Sequence, residues 1–124
     1  MSLDVFLETG DAFDREATEA ALAQNGIASD SIVVTADGGE ASVSVDDDGC
    51  VFVVRTLTRE LAQVVFDVAR RAGLAILPAD GTPTAFVVDD AVVPDELEGV
   101  DVTDAEELYE SLRHSEELRA TRSA

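Results

Sequence analysis

Apolar residues in this chain switch between the spacing of strands and the spacing of helices, and the switches divide the chain into elements. Residues 3–8 have the composition of a strand and are followed by a turn at residues 9–11. Apolar residues then recur at steps of three and four from Phe13 to Leu22. This spacing predicts a helix that ends at Gly26, which supplies the left-handed residue common at helix ends.

Three strands are predicted next, because short apolar runs are separated by turns rich in Asp and Gly. The runs are residues 32–35, 41–45 and 50–56, and the turns are residues 37–39 and 46–49. Strict alternation in the middle run indicates a strand with one solvent-exposed face. We expect these strands to form an antiparallel meander.

The second helix has the clearest pattern in the chain and ends at Gly73. Its apolar face is formed by Leu57, Leu61, Val64, Val65, Val68 and Ala72. Residues 75–78 and 84–88 then predict a hairpin, and residues 100–102 predict a short edge strand. Thr103 and Glu106 have the capping-box spacing, which predicts a third helix over residues 103–118.

These elements predict a single α+β domain over residues 1–124. We expect a mostly antiparallel sheet of six to seven strands, with two amphipathic helices on one face and a C-terminal helix. Residues 3–47 and 50–90 both have the predicted order strand, helix, strand, turn, strand. The fold is therefore either ferredoxin-like or built from a duplicated βαββ unit, and the order of elements alone leaves both alternatives open.

The charge of the chain is extreme, with 27 acidic residues, eight Arg and no Lys, for a formal net charge of −19. This composition resembles that of haloarchaeal cytoplasmic proteins, which work in concentrated salt. At 1 M salt the Debye length is about 3 Å, so repulsion among the carboxylates is screened. The resemblance implies a halophilic, cytoplasmic protein.

Several partners and locations are made improbable by this composition. Nucleic acids and anionic lipids are polyanions that bind through Lys and Arg, so neither is an expected partner. The N-terminal region lacks a basic segment followed by an apolar one, which predicts a soluble, unexported protein. The lone Cys50 opens an apolar strand, which is typical of a buried small side chain and not of a reactive thiol.

Local motifs of catalysis or of cofactor and metal binding are not found. The one histidine, His114, falls in a polar segment of the third helix and is predicted to be solvated. The run at residues 46–49 has carboxylates but lacks the alternating twelve-residue spacing of a calcium loop, so it is interpreted as a solvated turn. We expect no metal site and no cofactor.

A candidate anion site is predicted where the fourth strand enters the second helix. Arg55 and Arg59 flank Thr56 and Thr58 there, beside the free amides of the first helical turn. Cations are unusual at the positive end of a helix, and a bound anion would account for them. The alternative is that both arginines pair with nearby carboxylates.

Residues 54–77, about a fifth of the chain, resemble the strand, helix and strand of ACT-type small-molecule-sensing domains. The glycine-containing turn that ACT domains use before the helix is not present. The similarity is one of shape and is shared by many ferredoxin-like modules.

The sequence thus predicts a non-catalytic module that contacts a protein or binds a small anion. We expect a homodimer, because a sheet of short strands leaves edges and a face to be covered. The alternative is a small enzyme whose site is assembled from distant residues. A flat apolar patch favours the first hypothesis, and a closed cleft with a perturbed acid or base favours the second.

Overall fold

Seven strands and three helices make up the computed structural model, which describes residues 3–10, 12–89 and 91–123, with side chains to residue 118. The strands are β1 (Leu3–Glu8), β2 (Ser31–Val34), β3 (Glu40–Val45), β4 (Cys50–Thr56), β5 (Ala75–Pro78), β6 (Thr84–Val88) and β7 (Glu98–Val102). The helices are α1 (Arg15–Gln24), α2 (Arg59–Ala72) and α3 (Ala105–Ser123). Asp11 and Asp90, which the sequence analysis places in a turn and at the end of the second βαββ unit, lie outside the described residues.

All seven strands belong to one sheet, in the order β2-β3-β4-β1-β5-β6-β7. Neighbouring strands are antiparallel except β6 and β7, which are parallel. The predicted α+β class, mostly antiparallel sheet and C-terminal helix are therefore confirmed. The predicted edge strand at residues 100–102 is longer, since β7 begins at Glu98.

The two predicted βαββ units do not occupy equivalent places in the sheet. In the first unit, the strand that follows the helix, β2, lies at the outer edge and β3 pairs with β4. In the second unit, the strand that follows the helix, β5, pairs directly with the central β1, and β6 lies outside it. The first strand of one hairpin, β2, therefore lies farther from the centre of the sheet than its partner, whereas the first strand of the other, β5, lies nearer to it. This topology gives no support to a duplication.

The core lies between the sheet and the helices. On β1, Leu3, Val5 and Leu7 are at most 1% exposed. They belong to one apolar cluster with residues of all three helices. The predicted face of α2 is confirmed, because Val65 is completely buried in this cluster. The helix ends at Gly73, whose φ of 70° lies in the left-handed region that glycine adopts without strain.

The start of α3 corrects the predicted capping box by one residue. Asp104, not Thr103, is the capping residue, because its Oδ1 accepts from the Glu107 backbone N–H over 2.8 Å. Glu107 reaches back to the Thr103 N–H over 3.3 Å, while Glu106 pairs with Arg59. Thr103 and Asp104 are adjacent and both can cap a helix, so the sequence permits either residue as the cap. The structure uses Asp104 with Glu107, and Glu106 instead forms the ion pair with Arg59 of α2. The backbone of α3 continues to Ser123, beyond the predicted end at 118.

Candidate functional site

The junction of β4 and α2 holds the predicted anion site, and two backbone amides of the first helical turn, those of Glu60 and Leu61, donate to side chains of the protein itself. Thr58 caps the helix, since its hydroxyl accepts from the Leu61 N–H over 3.2 Å. Asp37, in the turn between β2 and β3, accepts from the Glu60 N–H over 3.2 Å. A carboxylate of the chain therefore lies at the positive end of the helix, where an external anion was predicted.

Asp37 is held in this position by the turn around it. Its Oδ1 accepts from the Thr35 hydroxyl over 2.6 Å, and hydrogen bonds from Thr35 and Thr58 lower the pKa of the carboxyl to about 2. A side chain on Gly39 would collide with both of these hydroxyl groups, which explains the glycine at this position. The turn and the helix start thus fit together around an ionised carboxylate.

The two arginines of the predicted site pair with acids on different elements. The Arg59 Nε lies 3.0 Å from Glu106 Oε2 on α3, and its guanidinium carbon lies 4.7 Å from the centre of the Tyr109 ring. Hydrogen bonding to Glu106 raises the pKa of Arg59. The Arg55 Nε lies 4.0 Å from Glu40 Oε2 on β3. These pairings agree with the alternative account of the arginines, while anion binding at Arg55, Thr56, Thr58 and Arg59 stays a prediction.

The sheet face opposite the helices carries a second candidate site, which we call the open face. Strand register places the following apolar side chains on it: Phe6, Ile32, Val34, Val51, Val53, Leu77 and Val87. Ile32 and Val34 are 66% and 68% exposed, and Phe6, on the central strand, is 36% exposed. Exposed apolar groups on an acidic chain are therefore concentrated on one face of the sheet.

The charged groups of the open face lie toward its margins. On β1, Asp4 and Glu8 occupy the two ends of the row whose middle residue is Phe6. Glu40 lies at the start of β3, and Asp101 lies on the edge strand β7. The register also places Asp4 directly opposite Val53, and Ser42 and Ser44 of β3 between the apolar residues of β2 and β4. The apolar centre of the open face is therefore limited to Phe6, Val51 and Val53.

One end of the open face is covered by the connection between β6 and β7. A Cβ on Gly99 would lie 3.1 Å from Val87 Cγ2 and 3.3 Å from Val93 Cγ2, so Val93 of the connection packs at that end. The connection is also tied to the end of β1, because the Gly10 N–H donates to the Val92 carbonyl over 2.9 Å. Ala85 is fully buried on this side. Ala75, at the start of β5, is also fully buried on this face, so the uncovered part of the open face extends from Leu77 on β5 to β2.

A groove of about 480 Å³ lies between α3 and the β5–β6 hairpin, with Asp80 at its buried side and His114 at its exposed side. Asp80 accepts from the Thr82 hydroxyl over 2.6 Å and from the Thr82 N–H over 2.9 Å. Burial raises the pKa of Asp80, but hydrogen bonds from Thr82 and from Ser115 outweigh it, and the net effect is a lowered pKa. The carboxylate thus organises the turn of the β5–β6 hairpin, while the Ser115 hydroxyl donates to the Ser111 carbonyl over 3.2 Å within α3.

The turn between β3 and β4 is organised by its own acid. Asp46 Oδ1 accepts from the N–H groups of Asp48 and Gly49 over 2.8 and 2.9 Å, and no group of metal-ligating side chains is found among the described residues. Next to this turn, partial burial and the carboxylates of Asp46, Glu96 and Asp48 raise the pKa of Glu8. Burial raises the pKa of the Cys50 thiol to about 12, so this thiol stays protonated at neutral pH.

No protein-family model, curated protein or solved structure matches the chain. None of the helices in the described parts of the chain has the length and apolar character needed to cross a membrane.

Proposed function

We propose that this protein is a non-catalytic interaction module that binds a protein partner through the open face of its sheet. The observation that carries this proposal is the uncharged apolar centre of that face, around Phe6, Val51 and Val53, in a chain with a net charge of −19. Contiguous apolar patches of several hundred Å² are uncommon on monomers and typically mark interaction sites.

The arrangement of elements supports a scaffold role of this kind. Four adjacent strands, β3, β4, β1 and β5, together with α1 and α2, follow the connectivity of a ferredoxin-like sheet. We infer that the fold is a ferredoxin-like core extended by β2 at one edge and by β6 and β7 at the other. In such a core, helices cover one face of the sheet and leave the other available for contact.

The setting we infer is a salt-rich cytoplasm. High salt screens repulsion between carboxylates on the folded surface and strengthens the burial of apolar groups. An acidic protein with an apolar contact face is suited to both effects, since its surface stays soluble while the face associates.

The other functions that the sequence allows have weaker support. For a small anion, Asp37 already accepts from the Glu60 amide at the start of α2, so a ligand would compete with it. For an enzyme, the thiol of Cys50 is held protonated, and Asp80 is engaged with Thr82. The anion site is tested by titrating phosphate at high chloride and measuring the amide chemical shifts of residues 56–59. Binding of phosphate there should change these chemical shifts in a saturable way.

The proposal is tested by comparing tagged wild-type protein with Phe6→Asp and Val100→Asp variants in cell extract at 3 M KCl. Val100 is a matched control, because it is 43% exposed but shares its face with the buried Val102. A partner, including a second copy of this chain, should be retained by the wild type and by Val100→Asp and lost by Phe6→Asp. Its binding is then measured with the purified partner. Equal retention by all three proteins would refute the proposal.

A further inference from the structure

We infer that the partner on the open face is a basic protein segment that places a Lys or Arg side chain beside Phe6. This inference rests on the proposed function and names the chemistry of its partner. Its first support is a cavity of about 220 Å³ at one end of the open face, lined in part by Phe6, Val51, Glu8, Asp46 and Asp48. Small-molecule sites usually measure about 300–1,000 Å³, so this cavity suits a single side chain.

The acids that line the cavity come from two segments that the sheet brings together. Glu8 ends β1, and its Cγ would lie 3.3 Å from a Cβ on Gly49, so its side chain lies against the turn between β3 and β4. Asp46 and Asp48 belong to that turn, and Asp46 Oδ1 accepts from two of its backbone N–H groups. Three carboxylates thus lie at one end of the apolar centre.

These carboxylates receive no counter-charge from the described part of the chain. Among the described residues, no arginine forms a salt bridge with Glu8, Asp46 or Asp48. Partial burial, together with the carboxylates of Asp46, Glu96 and Asp48, raises the pKa of Glu8, so the acids repel one another. Perturbed acids in a cleft are typical of functional sites, and a cation is the group that relieves this repulsion.

A basic segment fits both the acids and the apolar centre. A Lys or Arg side chain covers apolar surface with its methylene groups and keeps its charged end at the margin. Within the cavity, the charged end also lies beside the ring of Phe6, which is 36% exposed and attracts a cation through its π-electrons. Asp4, directly opposite Val53, provides an acid for a second basic residue at the other end of the row. The partner segment therefore combines basic and apolar residues.

Other partners fit the open face less well. A second copy of this chain packed on the same face would bring Asp4 and Glu8 against like charges. A neutral apolar partner would bury the same two carboxylates without a counter-charge, which costs free energy. Acidic proteins and nucleic acids are repelled by them. Molar salt screens distant charges but weakens close, partly buried pairs much less, so recognition of a cation persists in a salt-rich cytoplasm.

The test compares two synthetic peptides in 1 M KCl. The first is acetyl-Thr-Val-Arg-Val-Thr-amide, and the second carries citrulline, a neutral side chain of the same shape, in place of Arg. Binding is measured through the backbone amide chemical shifts of Gly49 and Val51. The Arg peptide should shift both signals in a saturable way, and the citrulline peptide should bind at least about 10-fold more weakly.

Substitution of single acids identifies the site. Glu8→Gln should raise the dissociation constant of the Arg peptide about 5- to 10-fold and leave that of the citrulline peptide unchanged. Unfolding does not account for such a loss, because removal of the repulsion at Glu8 favours the folded domain. Asp101→Asn, which removes the same charge from the edge strand β7, is the matched control and should leave both constants unchanged.

The outcomes separate this inference from the proposed function. The inference is overturned if neither peptide binds, if both bind equally, or if Asp101→Asn weakens the Arg peptide as much as Glu8→Gln does. The proposed function is judged with Phe6→Asp in cell extract. A partner that is lost by Phe6→Asp but retained by Glu8→Gln leaves the proposed function standing and overturns the inference. Equal retention by wild type and Phe6→Asp refutes both.

Discussion

Successive residues of β1 face two different environments, although the middle of the strand is apolar on both sides. Leu3, Val5 and Leu7 are buried under the helices, whereas Asp4, Phe6 and Glu8 lie on the open face. The helices cover the face that carries Leu3, Val5 and Leu7. Among the described residues, nothing covers the centre of the open face, which is in contact with solvent. The comparison indicates that the covered face serves folding, and the apolar centre of the other face is the basis of the proposed contact between molecules.

The largest expected difference between the two faces is in stability. Val5→Asp places a carboxylate among fully buried apolar side chains, and we expect it to cost more than about 4 kcal/mol and to prevent folding. Phe6→Asp, one residue away on the open face, should cost about 1–2 kcal/mol and leave the fold intact. Circular dichroism and urea denaturation in 3 M KCl measure both. Similar losses in the two variants would show that the open face also belongs to the folding core.

Salt should act on the folded domain through its carboxylates. Lowering KCl from 1 M to 0.01 M lengthens the Debye length from about 3 Å to about 30 Å, so repulsion across the acidic surface increases. We expect a loss of about 2–3 kcal/mol, which lowers the melting temperature by about 10–20 °C. NaCl should substitute for KCl if screening is responsible. A melting temperature that is independent of salt would contradict the halophilic interpretation.

The buried Asp80 organises the turn of the β5–β6 hairpin. Asp80→Ala removes the acceptor of both Thr82 hydrogen bonds, and we expect a loss of about 2 kcal/mol at neutral pH. Because folding lowers the pKa of Asp80, its contribution is present above the ordinary Asp pKa of about 3.9 and is lost as pH falls through the lowered value. The difference in unfolding free energy between variant and wild type should therefore shrink below pH 4.

The exposed acid Asp101 provides the control for this prediction. Asp101→Ala should change the unfolding free energy by less than about 0.5 kcal/mol at any of these pH values. If Asp80→Ala behaves in the same way, the hydrogen bonds from Thr82 to Asp80 do not stabilise the domain.

The sequence was sufficient to predict the individual elements of this fold, because their signals are local. The strands at residues 50–56, 75–78 and 84–88 and the ends of α1 and α2 near Gly26 and Gly73 were predicted closely. Each depends on apolar spacing and on a glycine within a few residues. Local patterns of this kind also identified Val65 as buried.

The remaining features depend on contacts between distant segments. Spacing within a hairpin does not determine which of its strands lies nearer the centre of the sheet, so the opposite placement of β2 and β5 was missed. Asp37 at the start of α2 joins residues 23 positions apart, and Arg59 with Glu106 joins residues 47 positions apart. The open face was expected only in general terms, because its apolar residues come from separate strands that the register brings together.

The smallest predicted effect concerns the charged margin of the open face, where Glu8 lies near Asp46, Glu96 and Asp48. Partial burial and these carboxylates raise the pKa of Glu8, so folding favours its protonated form. Its contribution to stability is therefore fully present below the ordinary Glu pKa of about 4.3 and is lost as pH rises through the raised value. Glu8→Gln should stabilise the domain at pH 7 by less than about 1 kcal/mol, since solvent screens much of the repulsion. The gain should vanish near pH 4 and decrease from 1 M to 3 M KCl. Asp4→Asn, at the other end of the row, is the control. A loss of stability in Glu8→Gln at pH 7 would mean that Glu8 accepts a stabilising interaction that outweighs the repulsion at this margin.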